Sequence, residues 1–202
     1  MTSSSHFSLY AFPRKSLGKN SIRRLLLNNQ IPAILYEKNT NSIPLIVNKK
    51  EMLKLLQSPW KRNVVFQLNV FNQSSRLAII KDIQIDPVSR SIYHLDFMSI
   101  DPSKQIKMKI PLNISGKNII IALGKKIEQL FHFIPLWVSP LHVPTQIDIN
   151  IANLDNGPLI AKCLELPLNT SLQINKNTII LSIKIPKKNK TDANTTTSTS
   201  TS

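Results

Sequence analysis

Three runs, NVVFQLNV (Asn63–Val70), LAIIKDIQI (Leu77–Ile85) and SIYHLDFM (Ser91–Met98), decide the fold. Each is rich in β-branched and aromatic residues interspersed with polar ones, the pattern of strands that bury one face. The connections are FNQSS (71–75) and DPVSR (86–90). Asn, Ser and Asp-Pro favour tight turns, so the three runs are expected as antiparallel hairpins.

Upstream, Phe7 to Phe12 alternates loosely and is expected as a strand. Residues 18 to 29 form a basic, leucine-rich segment, either a short helix or an ordered loop, which Pro32 is expected to stop. Ala33 to Tyr36 and Ile43 to Val47 are further strands. Next, Asn48 is placed to cap a helix, with Glu51 three residues on as in a capping box. Met52, Leu55 and Leu56 share one face of that helix, which ends by Pro59. Several strands with one or two short helices predict a small, helix-decorated barrel over residues 1 to 100.

After residue 100 the character changes. Lys104 to Pro111 alternates as a strand, and Ile114 to Lys126 is expected as an apolar strand with a glycine-containing turn. Phe131 to Ser139, Ile147 to Ile151 and Thr178 to Ile185 are further strands, separated by connections that contain Pro140, Pro144, Pro158 and Pro167. Residues 101 to 186 are therefore expected as a second, β-rich domain. Residues 187 to 202, lysines followed by Thr, Ser and Asn, are too polar to bury and are expected to be disordered.

The 202 residues carry 26 Lys and Arg against 11 Asp and Glu, a net charge of +15. An excess of that size attracts polyanions. Part of it is compositional, because Lys, Ile and Asn are plentiful and glycine numbers only 4. Its placement is more informative than its total. Arg14, Lys15, Lys19, Arg23 and Arg24 all precede the first acid, Glu37. Five cations without a counter-charge make a phosphate-binding footprint.

Other function classes find little support. The one cysteine, Cys163, excludes an internal disulfide and a cysteine-based metal site; between apolar neighbours it is expected as a small buried hydrophobe. No apolar stretch reaches the length of a transmembrane helix, and Met1 to His6 has no apolar signal region. A cytoplasmic chain without a membrane partner is expected. His94 and Asp96 invite a hydrolase or metal reading, but no third ligand has a plausible spacing, since His132 and His142 lie in the other half. There is no serine-nucleophile motif or glycine-rich phosphate loop. Catalysis, cofactors and a small-molecule substrate are not expected.

Two motifs sharpen the reading. The first is Gly18-Lys19, then Arg23-Arg24-Leu25, then Ile31-Pro32-Ala33-Ile34-Leu35-Tyr36. The second is Lys81-Asp82-Ile83-Gln84 with Pro87, followed by His94, Asp96 and Phe97. Together they resemble the bacterial large-subunit ribosomal protein twenty-five family in its long form, the general stress protein CTC type. The second half resembles that family's second domain at Phe133 to Leu136, Ile147 to Asn150, Leu164 to Pro167 and Thr178 to Ile183.

The resemblance implies a six-stranded N-terminal β-barrel bound to the loop-E region of 5S rRNA, on the ribosome in the cytoplasm. The RNA-binding residues it implies are Arg14, Lys19, Arg23, Arg24, Tyr36, Gln84, His94 and Asp96. Their chemistry suits RNA. Guanidinium forks match phosphates and base edges, and Gln84 both donates and accepts. Asp96, on one strand face with His94, can accept from base amino groups or 2′-hydroxyls. Tyr36 is read either as a stacking or hydroxyl contact or as a core tyrosine with a satisfied hydroxyl. This chain departs from the family at Leu26, Glu37, Ile85 and Asp86, and a carboxylate at Asp86 would repel a nearby phosphate. The second domain is open to contact with neighbouring ribosomal proteins or exposed rRNA. The competing reading is a basic membrane-surface or protein-interaction module without rRNA specificity; residues 18 to 29 are too short and interrupted to favour it.

Overall fold

The computed structural model describes residues 7–16, 18–36, 42–152 and 157–184. The first six residues, Glu37 and the polar tail 187–202 lie outside these.

Six strands close into a barrel: β1 (Phe7–Pro13), β2 (Gln30–Tyr36), β3 (Ile43–Asn48), β4 (Val65–Val70), β5 (Arg76–Ile85) and β6 (Ile92–Ser99). Their order around the barrel is β1-β3-β2-β6-β5-β4, and β4 closes on β1 in parallel. The three opening runs are β4, β5 and β6, antiparallel hairpin neighbours as expected. Alternation does the sorting. Leu9 and Ala11, Ile31, Ala33 and Leu35, Leu45 and Val47, Phe66 and Leu68, and Leu95 and Phe97 all point inward and are buried. The rings of Phe66 and Phe97 meet edge to face at 5.4 Å.

Two helices decorate the barrel, α1 (Lys19–Leu27) and α2 (Lys49–Leu56). Asn48 caps α2, and its side chain accepts from Lys50 N at 2.8 Å, one residue short of the expected Glu51. Met52 and Leu55 enter the barrel core with Leu56 packed against it. The segment 18 to 29 is a helix, but Pro32 does not end it. The helix stops at Leu27, and Asn29 turns the chain at φ 55. Pro32 instead lies inside β2, paired with Ile46.

The second unit contains β7 (Ile106–Ser115), α3 (Lys117–Ala122), β8 (Lys126–Gln129), β9 (Phe133–Val138), β10 (Ile147–Asn150), β11 (Gly157–Ile160), β12 (Thr170–Leu172) and β13 (Ile179–Lys184). These make one sheet of order β10-β7-β9-β12 and another of order β11-β13-β8. Ile110, Ile134, Leu136, Val138, Ile180 and Leu181 lead their shared core. The expected strand from Ile114 to Lys126 is corrected: β7 ends at Ser115 and residues 117–122 turn as a helix. Gly116 sits at φ 83 against Ala152, whose backbone nitrogen would lie 2.8 Å from an added Cβ, and this breaks the strand. Cys163 is also corrected. It is exposed, because the single 3-10 turn Ala161–Cys163 sends Ala161 inward in its place.

The second unit is packed on the barrel rather than strung from it. Val65, Leu77, Ile79 and Met98, on the outer barrel face, join the core of the second unit. The Trp60 indole N–H donates to Val143 O at 2.8 Å, and the Asn63 side-chain amide donates to Lys109 O at 2.9 Å.

Candidate nucleic-acid interface

β2, β6 and β5 present one part of the outer barrel face that the second unit leaves uncovered. The register fixes which side chains meet there. Ile34 pairs with Asp96 and Tyr36 with Met98 across β2 and β6. Asp82 lies opposite Asp96, and Gln84 opposite His94, across β5 and β6. Since Leu95 and Phe97 point inward, His94 and Asp96 point outward, together with Gln84 and Asp82.

This alignment depends on a bulge. Ile79 and Ile80 pair with Met98 and Phe97, but Asp82 then pairs with Asp96, leaving Lys81 as an extra residue. Before the bulge the odd residues Leu77 and Ile79 face outward to the second unit; after it the even residues Asp82 and Gln84 face outward. One inserted residue flips the strand by one face. Without it, Gln84 would point into the barrel. Lys81 itself leans across β6 toward β2, its ammonium 5.1 Å from the centre of the Tyr36 ring. Tyr36 is exposed, which removes the core reading, and it carries a cation on its π face.

Two carboxylates lie opposite one another on β5 and β6, but only one keeps its charge unopposed by a permanent cation. Asp82 pairs with Arg62 at 3.1 Å. Asp96 Oδ1 lies 2.9 Å from His94 Nδ1, with the two side chains only 21% and 13% exposed. The distance is that of a hydrogen bond but the alignment is not, so Nδ1 is a buried nitrogen without a hydrogen-bond partner among the described residues. Arg14 is in the same condition. Its Nε and Nη1 are buried and unpartnered. Buried polar atoms are almost always satisfied, so the Arg14 donors suit an external acceptor and His94 Nδ1 an external hydrogen-bond partner.

The basic arm follows from local structure. Arg14 extends the β1–β3 ladder, its N–H donating to Pro44 O at 2.9 Å. Ser16 and Ser21 then join the loop to α1 through their hydroxyls at 3.1 Å. α1 crosses β2 and buries none of its residues, and its first turn holds no acid. Lys19, Arg23 and Arg24 are exposed and form no ion pair among the described residues. The eight expected residues therefore fall into a strand group of Tyr36, Gln84, His94 and Asp96, and an arm group of Arg14, Lys19, Arg23 and Arg24. Sequence reading missed Lys81 and Arg62, which hold Tyr36 and Asp82. The adjacent pairs Ile79-Ile80 and Lys81-Asp82, apolar then polar, are where the alternation slips.

The expected misfit at Asp86 has a structural explanation. Its carboxylate accepts from Val88 N at 2.8 Å and Ser89 N at 3.0 Å, closing the β5–β6 turn. The Ser89 and Val88 backbone N–H groups hold its pKa below the ordinary carboxylate value, so it is ionised at neutral pH. Among the described residues there is no group of three or more His, Cys, Asp or Glu able to hold a metal. No helix among the described residues is long and apolar enough to cross a membrane.

Fold and face together define a basic β-barrel protein with a packed second β unit and a cationic arm beside a polar strand surface. Comparison with known proteins supplies the family. Residues 9–97 match the ribosomal L25p family, and residues 105–187 match the ribosomal protein TL5 C-terminal domain. The large ribosomal subunit protein bL25 of Natranaerobius thermophilus is 31% identical over 170 residues, covering 84% of this chain and 79% of that protein. The bL25 proteins of Thermotoga petrophila and Streptomyces coelicolor are 28% and 27% identical, over 90% and 89% of this chain and 87% and 88% of theirs. The chain belongs to the ribosomal L25p family, in the form that carries a TL5-type second domain. Its role is structural, in the large ribosomal subunit, and it is not an enzyme.

Proposed function

We propose that the barrel unit, residues 1 to 100, binds 5S rRNA at its loop-E region through the β2–β6–β5 face and α1, anchoring the protein in the large subunit of the cytoplasmic ribosome. The observation that carries this reading is the convergence of Tyr36, Gln84, His94 and Asp96 on one outward surface, beside a helix whose cations have no acid partner among the described residues.

The chemistry divides between the two groups. Lys19, Arg23 and Arg24 neutralise phosphates and supply the salt-dependent part of the affinity. Gln84, His94 and Asp96 offer donors and acceptors to the shallow minor groove, where A-form RNA shows its 2′-hydroxyls and base edges. Asp96 repels phosphates, so its place is opposite a hydroxyl or a base amino group, and this supplies discrimination. Residues 101 to 186 act as a second domain, held in a set orientation by the apolar seam and Trp60. Neighbouring ribosomal proteins or rRNA are its proposed partners.

Hydroxyl-radical footprinting of 5S rRNA with the full chain tests the reading. Protection confined to the loop-E nucleotides is expected. Uniform weak protection along the RNA would reduce the interaction to charge alone.

A further inference from the structure

The outer face of β1 lies on the far side of β3 from β2, away from the surface just described. Leu9 and Ala11 fill the core, so the alternate residues Tyr10 and Phe12 point outward, 59% and 55% exposed. Phe71 follows the end of β4, its N–H donating to Ala11 O at 2.9 Å. Its ring, on a residue 59% exposed, lies 5.8 Å from that of Phe12 at 33°. Three large rings are thus gathered where the barrel has no need of them. Burial would be the ordinary fate of such side chains, and a grouped exposed set marks a contact surface.

The surroundings select the kind of contact. β1, its neighbours β3 and β4, the turn 71–75 and α1 contain no acidic residue. The loop after β1 contributes Arg14 and Lys15, and α1 contributes Lys19, Arg23 and Arg24. Tyr10, Phe12 and Arg14 follow one another at alternate positions, about 6.7 Å apart along an extended strand. Two rings and a guanidinium in a row, in a surround where Glu51 of α2 is outnumbered by cations, combine base stacking with phosphate binding.

We propose that Tyr10, Phe12 and Phe71 form a stacking platform for unpaired nucleotides of ribosomal RNA, with Arg14 and Lys15 holding the adjoining phosphates. The platform deepens the rRNA-binding reading and rests on it. It adds a sequence-tolerant single-strand contact on β1, adjoining the arm at Arg14 and separated from the β2–β6–β5 strand surface by β3.

The test uses the full chain and two probes, labelled single-stranded octa-adenylate and a 5S rRNA transcript, read by fluorescence anisotropy. Replacing all three rings (Y10S/F12S/F71S) is expected to weaken octa-adenylate binding at least tenfold, since each stacked base contributes roughly fivefold or more. The same loss is expected when the rings are replaced in the Arg23→Ala, Arg24→Ala background. Should the serine variant fold poorly, F12L/F71L keeps apolar volume, removes the π faces and is expected to show most of the loss. Octa-adenylate affinity that is independent of the rings overturns the platform. So does self-association of the parent chain, seen by sedimentation, that vanishes in the variant, because the patch would then pair two copies. Failure of the parent chain to bind the 5S transcript is a separate result, and it counts against the rRNA reading instead.

Discussion

Individual residues on this surface are tuned by their nearest hydrogen bonds. Asp86 is the instructive case. Its carboxylate organises the β5–β6 turn through Val88 and Ser89 N–H groups, yet it also places a negative charge beside a face proposed to meet RNA. Asn retains a carbonyl oxygen for the same two N–H groups and removes the charge. Asp86→Asn is therefore expected to keep the unfolding temperature within a few degrees and to raise 5S rRNA affinity about two- to fivefold, the scale of one screened surface charge. Asp101 makes a complementary prediction about acid. The Ser103 hydroxyl, the Ser103 N–H and Lys104 lower its pKa from 3.8 to about 2. A folded-state pKa below the unfolded one contributes stability that is complete above the unfolded value and is lost as pH falls through the folded value. Thermal unfolding should thus show a decline between pH 4 and pH 2 that Asp101→Asn makes shallower, and a profile identical to the parent's would refute the assignment.

The two barrel helices are held very differently. α2 has a side-chain cap and two buried residues, whereas α1 has neither. Asn48→Ala should lower stability by about 1 kcal/mol, measured by denaturant unfolding. Gly18, at the start of α1, has φ 114 and ψ 166, a region open essentially to glycine alone. No atom lies within 4 Å of a Cβ added there, so the penalty of Gly18→Ala is purely conformational, on the order of 1–3 kcal/mol. It should appear as weaker RNA binding together with faster amide exchange in α1, with the barrel strands little changed.

Elements also set how much the sequence could disclose. The barrel strands were legible because one face of each is buried, giving a period of two that the bulge at Lys81 interrupts in β5. His94 and Asp96 were legible for the same reason. The partnership of Gln84 with His94 was not, because it depends on the bulge at Lys81, and strict alternation would have turned Gln84 inward. In the second unit, β11 and β12 have only four and three residues, too few to establish a period. The run Ile119-Ile120-Ile121 reads equally well as strand or helix, and Gly116 decides it through contact with Ala152, 36 residues away in the chain. Cys163 was misplaced because its apolar neighbours suggested a buried run, where a tight turn alternates differently.

At the scale of the molecule, an apolar seam and the side-chain hydrogen bonds of Trp60 to Val143 O and Asn63 to Lys109 O join the two units. Trp60→Phe keeps the ring packed against Phe7 but leaves Val143 O without its donor, an expected loss of about 1 kcal/mol that calorimetry can read. Because Ile79, Val65 and Leu77 of the barrel belong to the core of the second unit, the described units are expected to unfold together rather than in two steps. Net charge of +15 draws the whole molecule to polyanions, but it does not choose among them. Choice lies in the strand surface, and phosphate attraction in the arm. The central claim is best tested by gel-shift titration of a 5S rRNA transcript with the parent chain and with an Arg23→Ala, Arg24→Ala variant across a range of salt. The account predicts tight binding by the parent that weakens steeply with salt, and binding nearly abolished in the variant with its thermal unfolding unchanged. Equal binding by both chains, or parent binding that a random RNA of the same length matches at every salt concentration, would contradict it.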